Sequence, residues 1–423
     1  MRILAVYRHY WPDVTPYARL LRSMLEEFAA VGHSVSVFTA QPSYNDVTHQ
    51  RQPALEELNG VEIYRCSLLP ERKRWTLLRA INFSIFLMRA VWHVFRHRDI
   101  DLIIANTHPP VLMGWTLRVM HWLFGIPFII HCQDIHPESA QLAGQLRSPW
   151  LIRRLRAIDH NNCTVAKCVV TLSDDMRQTL SERGTGPDVR VINNFPLDRY
   201  HAQATLPAIF QEAAPENESP FRVLFAGNIG QYQRLEQLVA AAHQLAGQTE
   251  IQFIFMGAGS ARQSLRDLAG DLLDKTVFFE DFLPVETAFA CMQSSHLGII
   301  SLSPGLYRVA YPSKTMTYLA AGCPVLALVE PESNLAHEVI NHGFGTVPHS
   351  LDPVAIAQAI RQAYETRDQW TPTARQELAD RAEAHYGRDR AILQWKELFD
   401  DLFEIGNEHE VIEGAEIKIN RAA

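Results

Sequence analysis

Short runs of β-forming residues alternate with helix-length segments along almost the whole chain. In the first half the runs are RILAVY, SVSVFT, VEIYR, DLIIA, PFIIH, CVVTL and VRVIN; in the second they are FRVLFAG, IQFIFMG, TVFFE, LGIIS and PVLALV. Many are continuously apolar, which is what a strand covered on both faces requires. Helical patterns lie between them, as at residues 18–31, 235–246 and 353–364. Strand and helix in strict alternation predict parallel sheets joined by crossover helices, an α/β architecture. Ligands of such sheets bind beyond the carboxyl ends of the strands, so the loops after the strands are where chemistry is expected.

The alternation stops once. PLDRYHAQATLPAIFQEAAPENESP, residues 196–220, is polar, proline-bearing and without a strand. It divides the chain into a doubly wound domain over 1–195, a linker over 196–220 and a second doubly wound domain over 221–386, with a cleft between the two. Residues 406–423 read as a loose tail. The 423 residues carry a net charge of −8, against a dedicated nucleic-acid binder. The six cysteines form no CxxC pair and sit largely in apolar runs, as reduced core residues do. RILAVY is too short for a secretory h-region. No uncharged apolar run reaches about 18 residues. Val111 to Cys132 comes nearest, and reads as a buried helix followed by a buried strand.

Three loops of the second domain suit a phosphorylated ligand. In FAGNIGQYQRLEQL a strand enters Gly227-Asn228-Ile229-Gly230, and a helix begins near Gln233 and Arg234. Glycines there let backbone amides approach a phosphate, although a tight turn explains them equally well. In FMGAGSARQSL, Gly257 and Gly259 end another strand; without a third glycine this is turn geometry with at most a base or ribose contact. In PSKTMTYLAAGCPVLA, Ser313 precedes a helix and Lys314 falls in its first turn. A cation at the positive end of a helix dipole is misplaced unless an anion sits above it. The alternative is an ordinary solvated lysine.

The first domain offers HCQDIHPES after the strand PFIIH, with His131, Asp134, His136 and Glu138 close together. Acid–base work or hydrogen bonding to ligand hydroxyls fits this set better than a metal, since no second ligand cluster exists. Helix capping by Asp134 and Glu138 is the competing reading. Trp11 and Asp13 follow the first strand and face the same cleft, Trp11 as a stacking surface. Two segments, 71–98 and 147–158, set arginines around apolar stripes in an otherwise acidic chain, a pattern suited to an anionic membrane interface. A core helix with a solvated basic face gives the same pattern.

These motifs together resemble the family 4 retaining glycosyltransferases of the GT-B fold, and the branch that builds colanic acid, capsule and O-antigen sugars in particular. YWPD, GHSVSVFTAQPSYN, NTHPPVLMG, HCQDIHPESA, VINNFPLDRY, AGNIGQYQRLEQL and PSKTMTYLAAGCPVLA carry the resemblance in order over roughly residues 1–400. It implies two Rossmann-like domains, with a helix over 387–405 crossing back to the first through Trp395, Leu398 and Leu402. The second domain would hold a nucleotide-diphosphate sugar, UDP-linked rather than GDP-linked, through Gly227, Asn228, Gly230, Gln233, Arg234, Gly257, Lys314, Thr317 and Glu330. The first would hold a lipid-linked saccharide acceptor, with Trp11, Asp13 and His136 binding it and Asp134, His131 and Glu138 as catalytic candidates. The glycosyl group would move with retention, with no metal and no tightly bound cofactor. The enzyme would be cytoplasmic and peripheral on the inner face of the plasma membrane.

The sequence also departs from the family pattern. Where the family carries a pair of glutamates, Val309 and Thr317 stand, and Glu330 or Glu332 would have to serve the ribose. Thr15-Pro16-Tyr17 replaces the usual glycine pair of the first loop. A sugar-nucleotide epimerase of related shape and a non-catalytic relative are the rival readings.

Overall fold

A computed structural model describes residues 1–13, 16–42, 51–70, 76–184, 186–196, 205–211, 220–247 and 250–402. Two sheets organise it. The first contains β1 (Arg2–Val6), β2 (Ser34–Ala40), β3 (Leu55–Leu58), β4 (Val61–Cys66), β5 (Leu102–Asn106), β6 (Phe128–His131), β7 (Cys168–Thr171) and β8 (Val189–Val191). Their spatial order is β3-β4-β2-β1-β5-β6-β7-β8. All pairs are parallel except β3 with β4. The second contains β9 (Phe221–Ala226), β10 (Ile251–Met256), β11 (Val277–Glu280), β12 (Leu297–Ser301), β13 (Val325–Leu328) and β14 (Gly345–Thr346), ordered β11-β10-β9-β12-β13-β14 and parallel throughout. Each expected strand is present. β3 and β14 were not anticipated: LEEL alternates weakly and GT is two residues long, so neither carries a strand signal.

In each sheet the chain winds outward from one strand, then returns to wind the other way. The reversal falls between β1 and β5, and between β9 and β12. These are the switch points where loops part and leave a crevice. In the second sheet the parting is visible in the register. β9 pairs with β12 only at Val223 and Leu224. Beyond that, the buried Tyr318 hydroxyl donates to the Leu224 carbonyl at 2.9 Å and accepts from the Ala226 amide at 2.7 Å. Its ring lies over Gly298, where a Cβ would meet it at 2.6 Å. Tyr318 thereby fixes the helix Lys314–Ala320 to the opened sheet edge.

The helix over 388–402 leaves the second domain and packs on the first. Trp395, Leu398, Phe399 and Leu402 are buried in a cluster with Tyr7, Phe28 and Ile129. The expected packing face is thus the observed one. The segment 196–220 is not bare linker in its described part, because Ala208–Gln211 is helical and buries Phe210 beneath the Arg222 guanidinium. The tail over 406–423 lies outside the described residues.

The helix Leu112–Phe124 corrects one expectation. It is only half buried: Met113, Leu117 and Met120 face the core, whereas Leu112, Trp115, Trp122 and Leu123 are exposed, Trp122 to 81%. The helix Thr76–Arg96 is divided likewise, with Phe86, Ala90 and Val94 inside and Leu77, Met88, Trp92 and Phe95 outside. By length and composition it is the one described helix able to cross a membrane.

Candidate active site

The carboxyl ends of the two sheets meet along a seam. The Ile135 amide donates to the Val309 carbonyl at 2.8 Å, and Asp134 forms a β-bridge with Ala310. The Tyr232 hydroxyl donates to the Ala143 carbonyl at 2.9 Å, and the Asn334 amide donates to Asp175 at 2.8 Å. Arg308 pairs with Glu182. Val309, standing where the family carries a glutamate, is buried and works through its backbone.

The second sheet's wall is built from close backbone contacts. Gly227 has φ +128° and lies under the Lys314 side chain, whose Cε a Cβ there would meet at 2.3 Å. A Cβ on Gly257 would meet the Gly227 carbonyl oxygen at 1.9 Å, and one on Gly259 the Ile229 oxygen at 2.0 Å. The two glycine loops therefore stack backbone on backbone, a distance no larger residue permits. Gly257 supports the cradle and does not reach past it. Ser301 and Ser303 hold the turn at Tyr232 and Gln233 by hydroxyl bonds to their carbonyls, at 2.5 and 2.7 Å.

Lys314 is the cation of this wall. Its Nζ lies 4.1 Å from the centre of the Phe225 ring. It has no carboxylate partner among the described residues, and burial in the crevice lowers its pKa to about 8. Ser313 occupies the N-cap position without making the capping hydrogen bond. Thr317 follows one turn later and is half-buried. Glu330 accepts from the Gly305 amide at 2.6 Å through one oxygen, while the other is buried without a partner. Asn228 is exposed on the loop.

Two donor-side expectations change. The Gln233 side chain is engaged within the loop, accepting from the Gly230 amide at 3.1 Å. Arg234 precedes the helix in a left-handed conformation, φ 44°, and its guanidinium lies 3.5 Å from Glu236. Only Lys314 of the two cations is left uncompensated.

On the first sheet's side Asp134 stands at the seam, four residues across the bridge from Lys314. Its backbone carbonyl accepts from Thr107 at 3.2 Å, but its carboxyl has no hydrogen-bond partner among the described residues. Solvent reaches the carboxyl from the cleft, and partial desolvation by the surrounding walls raises its pKa to about 6. It caps no helix.

The other acceptor-side candidates are more constrained. Glu138 is held by Arg183 at 2.5 Å and Arg156 at 2.9 Å, and Arg183 also binds Asp159 at 2.7 Å. A carboxylate clamped by two guanidiniums is structural, which removes Glu138 as a proton acceptor. His131 is buried with both ring nitrogens used, Nδ1 against the Tyr17 hydroxyl at 2.8 Å and Nε2 against Gln133 at 2.8 Å. Trp395 meets it edge-on, and burial drives its pKa down to about 3. His131 is a neutral core residue and not a catalytic one. Asp13 is buried and bonded to His9 at 2.8 Å, so it orients that ring instead of meeting an acceptor itself. Trp11 packs on the core with the Arg22 guanidinium 4.9 Å from its ring, so one face is already taken. His136 bonds Ser139 at 2.8 Å, and burial lowers its pKa. His108, two residues past β5, lies beside His9 and close to His136 on the cleft side; loss of water around its ring lowers its pKa to about 4, with the nearby His9, Arg8 and His136 adding to the shift.

Residues 17–194 match the family model for a glycosyl transferase 4-like domain, and residues 220–366 match the model for glycosyl transferases group 1. The chain belongs to the family 4 glycosyltransferases. Its two matched segments correspond to the two sheets and meet at the seam just described. This glycosyltransferase is 23% identical over 380 residues to the putative colanic acid biosynthesis glycosyl transferase WcaI of Escherichia coli, covering 86% of this chain and 92% of that one. It is 25% identical over 306 residues to the probable glycosyltransferase WbjE of Pseudomonas aeruginosa, covering 68% and 71%. The Anabaena protein HepE, solved in complex with UDP-glucose, has the same GT-B fold: TM-score 0.63 at 16% identity, covering 95% of this chain and all of that one. The enzyme is a GT-B glycosyltransferase with relatives in polysaccharide biosynthesis.

Proposed function

We propose that this enzyme transfers a glycosyl group, with retention, from a UDP-sugar to a lipid-linked saccharide at the cytoplasmic face of the plasma membrane. The observation carrying the donor half is Lys314, an unpaired cation held in a crevice above a glycine cradle. A diphosphate supplies the missing negative charge and, as it departs, gains charge that Lys314 and the loop amides stabilise. Glu330 keeps one buried oxygen free to accept from a ribose hydroxyl, the task Thr317 is poorly equipped for. HepE's complex with UDP-glucose supports uridine over guanosine.

Asp134 is the acceptor-side base in this reading. It is unpartnered, it stands at the seam, and its pKa near 6 leaves it ionised and mildly basic at neutral pH. The membrane half rests on three adjoining helices, Thr76–Arg96, Leu112–Phe124 and Pro149–Val165, which expose Trp92, Trp115, Trp122 and Trp150 beside arginines. Arg96 and Arg154 lie over Trp92 and Trp150. Interfacial aromatics with arginines match an anionic bilayer surface.

Calorimetry of the protein and of Lys314→Ala against UDP and GDP tests the donor half. UDP binding that Lys314→Ala weakens strongly is expected; no heat with either nucleotide overturns it. Incubation with UDP-sugars alone separates the epimerase reading, which requires an epimer with no acceptor present. Sedimentation with phosphatidylglycerol vesicles tests the membrane half, which fails if the protein stays in solution.

A further inference from the structure

A pocket beside the exposed apolar face is lined by Leu146, Arg147, Pro149, Ile152, Arg153 and Arg156. Its charge does not cancel. Arg156 and Arg183 are balanced by Glu138 and Asp159 in the buried cluster already described. Arg147 and Arg153 have no carboxylate partner among the described residues; the Arg147 Nε donates only to the Gly144 carbonyl, at 3.3 Å. Two exposed guanidiniums therefore point their excess charge at a concavity entered by the N-terminus of the 17-residue helix Pro149–Val165, the positive end of its dipole. Immediately next to it stand Trp150, 61% exposed, and Leu151. On the other side the loop 143–145 touches Tyr232 of the donor wall, with Gln145 donating to the Tyr232 hydroxyl at 3.2 Å.

We infer that this pocket binds the diphosphate of a lipid-linked acceptor, with the lipid running out over Trp150 and Leu151 and the saccharide turned toward the seam. Planar guanidiniums suit phosphate oxygens, and an apolar rim beside them suits a molecule that is anionic at one point and greasy beyond it. A free sugar explains neither feature. The inference rests on the proposed lipid-linked acceptor.

The full-length protein is sedimented with phosphatidylcholine vesicles that are plain, doped with polyprenyl diphosphate, or doped with phosphatidylglycerol. The variant Arg147→Ala/Arg153→Ala is compared with a charge-matched control, Arg89→Ala/Arg96→Ala, on the exposed side of the 76–96 helix. The pocket variant is expected to lose binding to polyprenyl diphosphate vesicles by about 10- to 100-fold, the loss of two charge-assisted contacts each weakened by solvent exposure, while the control loses less than about threefold. On phosphatidylglycerol the two variants should fall alike, since each removes two surface charges. Equal losses on the polyprenyl diphosphate vesicles, or none from the pocket variant, overturn the inference. Calorimetry with inorganic pyrophosphate separates this from the membrane reading. Binding that the pocket variant alone abolishes sustains the pocket even where no vesicle is bound, and no binding to wild type together with no vesicle selectivity sinks it.

Discussion

Gly227 and Asp134 stand at the carboxyl ends of two sheets that share one central winding, yet the two ends are made differently. Around Gly227 the wall is backbone: glycines stacked at distances that forbid a Cβ, hydroxyls tied to carbonyls, one lysine without a counter-ion. At the first sheet's end the wall is side chains: His9, His108 and His136 close to one another, and the unpartnered carboxyl of Asp134 at the seam. A wall of amides with one fixed cation is suited to a group common to many ligands, the diphosphate of the proposed donor. A wall of side chains can be varied residue by residue to suit one acceptor. The difference separates what is general in the reaction from what is particular.

The largest expected effect breaks the comparison on the side-chain wall. Asp134→Asn should lower turnover by about 10²- to 10⁴-fold, the range for losing a general base, with nucleotide affinity unchanged by calorimetry. Wild-type activity should rise through a midpoint near pH 6, and the variant should lack that limb. The sign for stability is opposite. A carboxyl whose pKa is raised on folding is stabilising while protonated, and loses that contribution as pH rises through about 6. Asp134→Asn should therefore raise Tm at pH 7, and the gain should shrink toward pH 4. A fall in Tm at pH 7 would make Asp134 a structural residue.

Next comes the backbone wall. Gly257→Ala places a methyl group against the Gly227 carbonyl at a φ of +141°. It should cost about 2–4 kcal/mol in chemical denaturation, as overpacking with backbone strain does, and should abolish UDP binding. Lys314→Ala should weaken UDP binding by about 10- to 100-fold, one charge-assisted contact, with little change in Tm. Since the free amine has a pKa of about 8, wild-type affinity should decline above that pH, and Lys314→Arg should extend the plateau upward. The smallest effect is Arg234→Ala. Its guanidinium is exposed and shared with Glu236, so UDP affinity should move by no more than about threefold. A larger loss would show a second cation in the cradle.

The fold was legible because continuous apolar runs and helical periods alternate with little noise. The wall of glycine loops was legible for the same reason: glycines after strands report where backbone must approach backbone. The wall of side chains was not. HCQDIHPES lists two histidines and two carboxylic acids, and nothing in their spacing says that Arg183, some 45 residues away, clamps Glu138. Nor does it say that Tyr17 and Gln133 close both nitrogens of His131. Burial and partners come from residues distant in sequence, and they decide which acid is free. Tyr318 was missed because a hydroxyl replacing ladder bonds between parted strands leaves no periodic trace. The exposed face of the Leu112–Phe124 helix was missed because a nearly uniform apolar stretch does not show which side is covered.

The return of helix 388–402 ties an early part of the chain to one made much later. Tyr7 and Phe28, made long before Trp395 and Phe399, wait for them before their apolar surfaces are covered. The amino-terminal half is thus unfinished for as long as the ribosome is still at work on the carboxyl-terminal half. Nascent chains stalled before residue 388 should be cut readily by protease within the first domain, and chains released after residue 402 should resist.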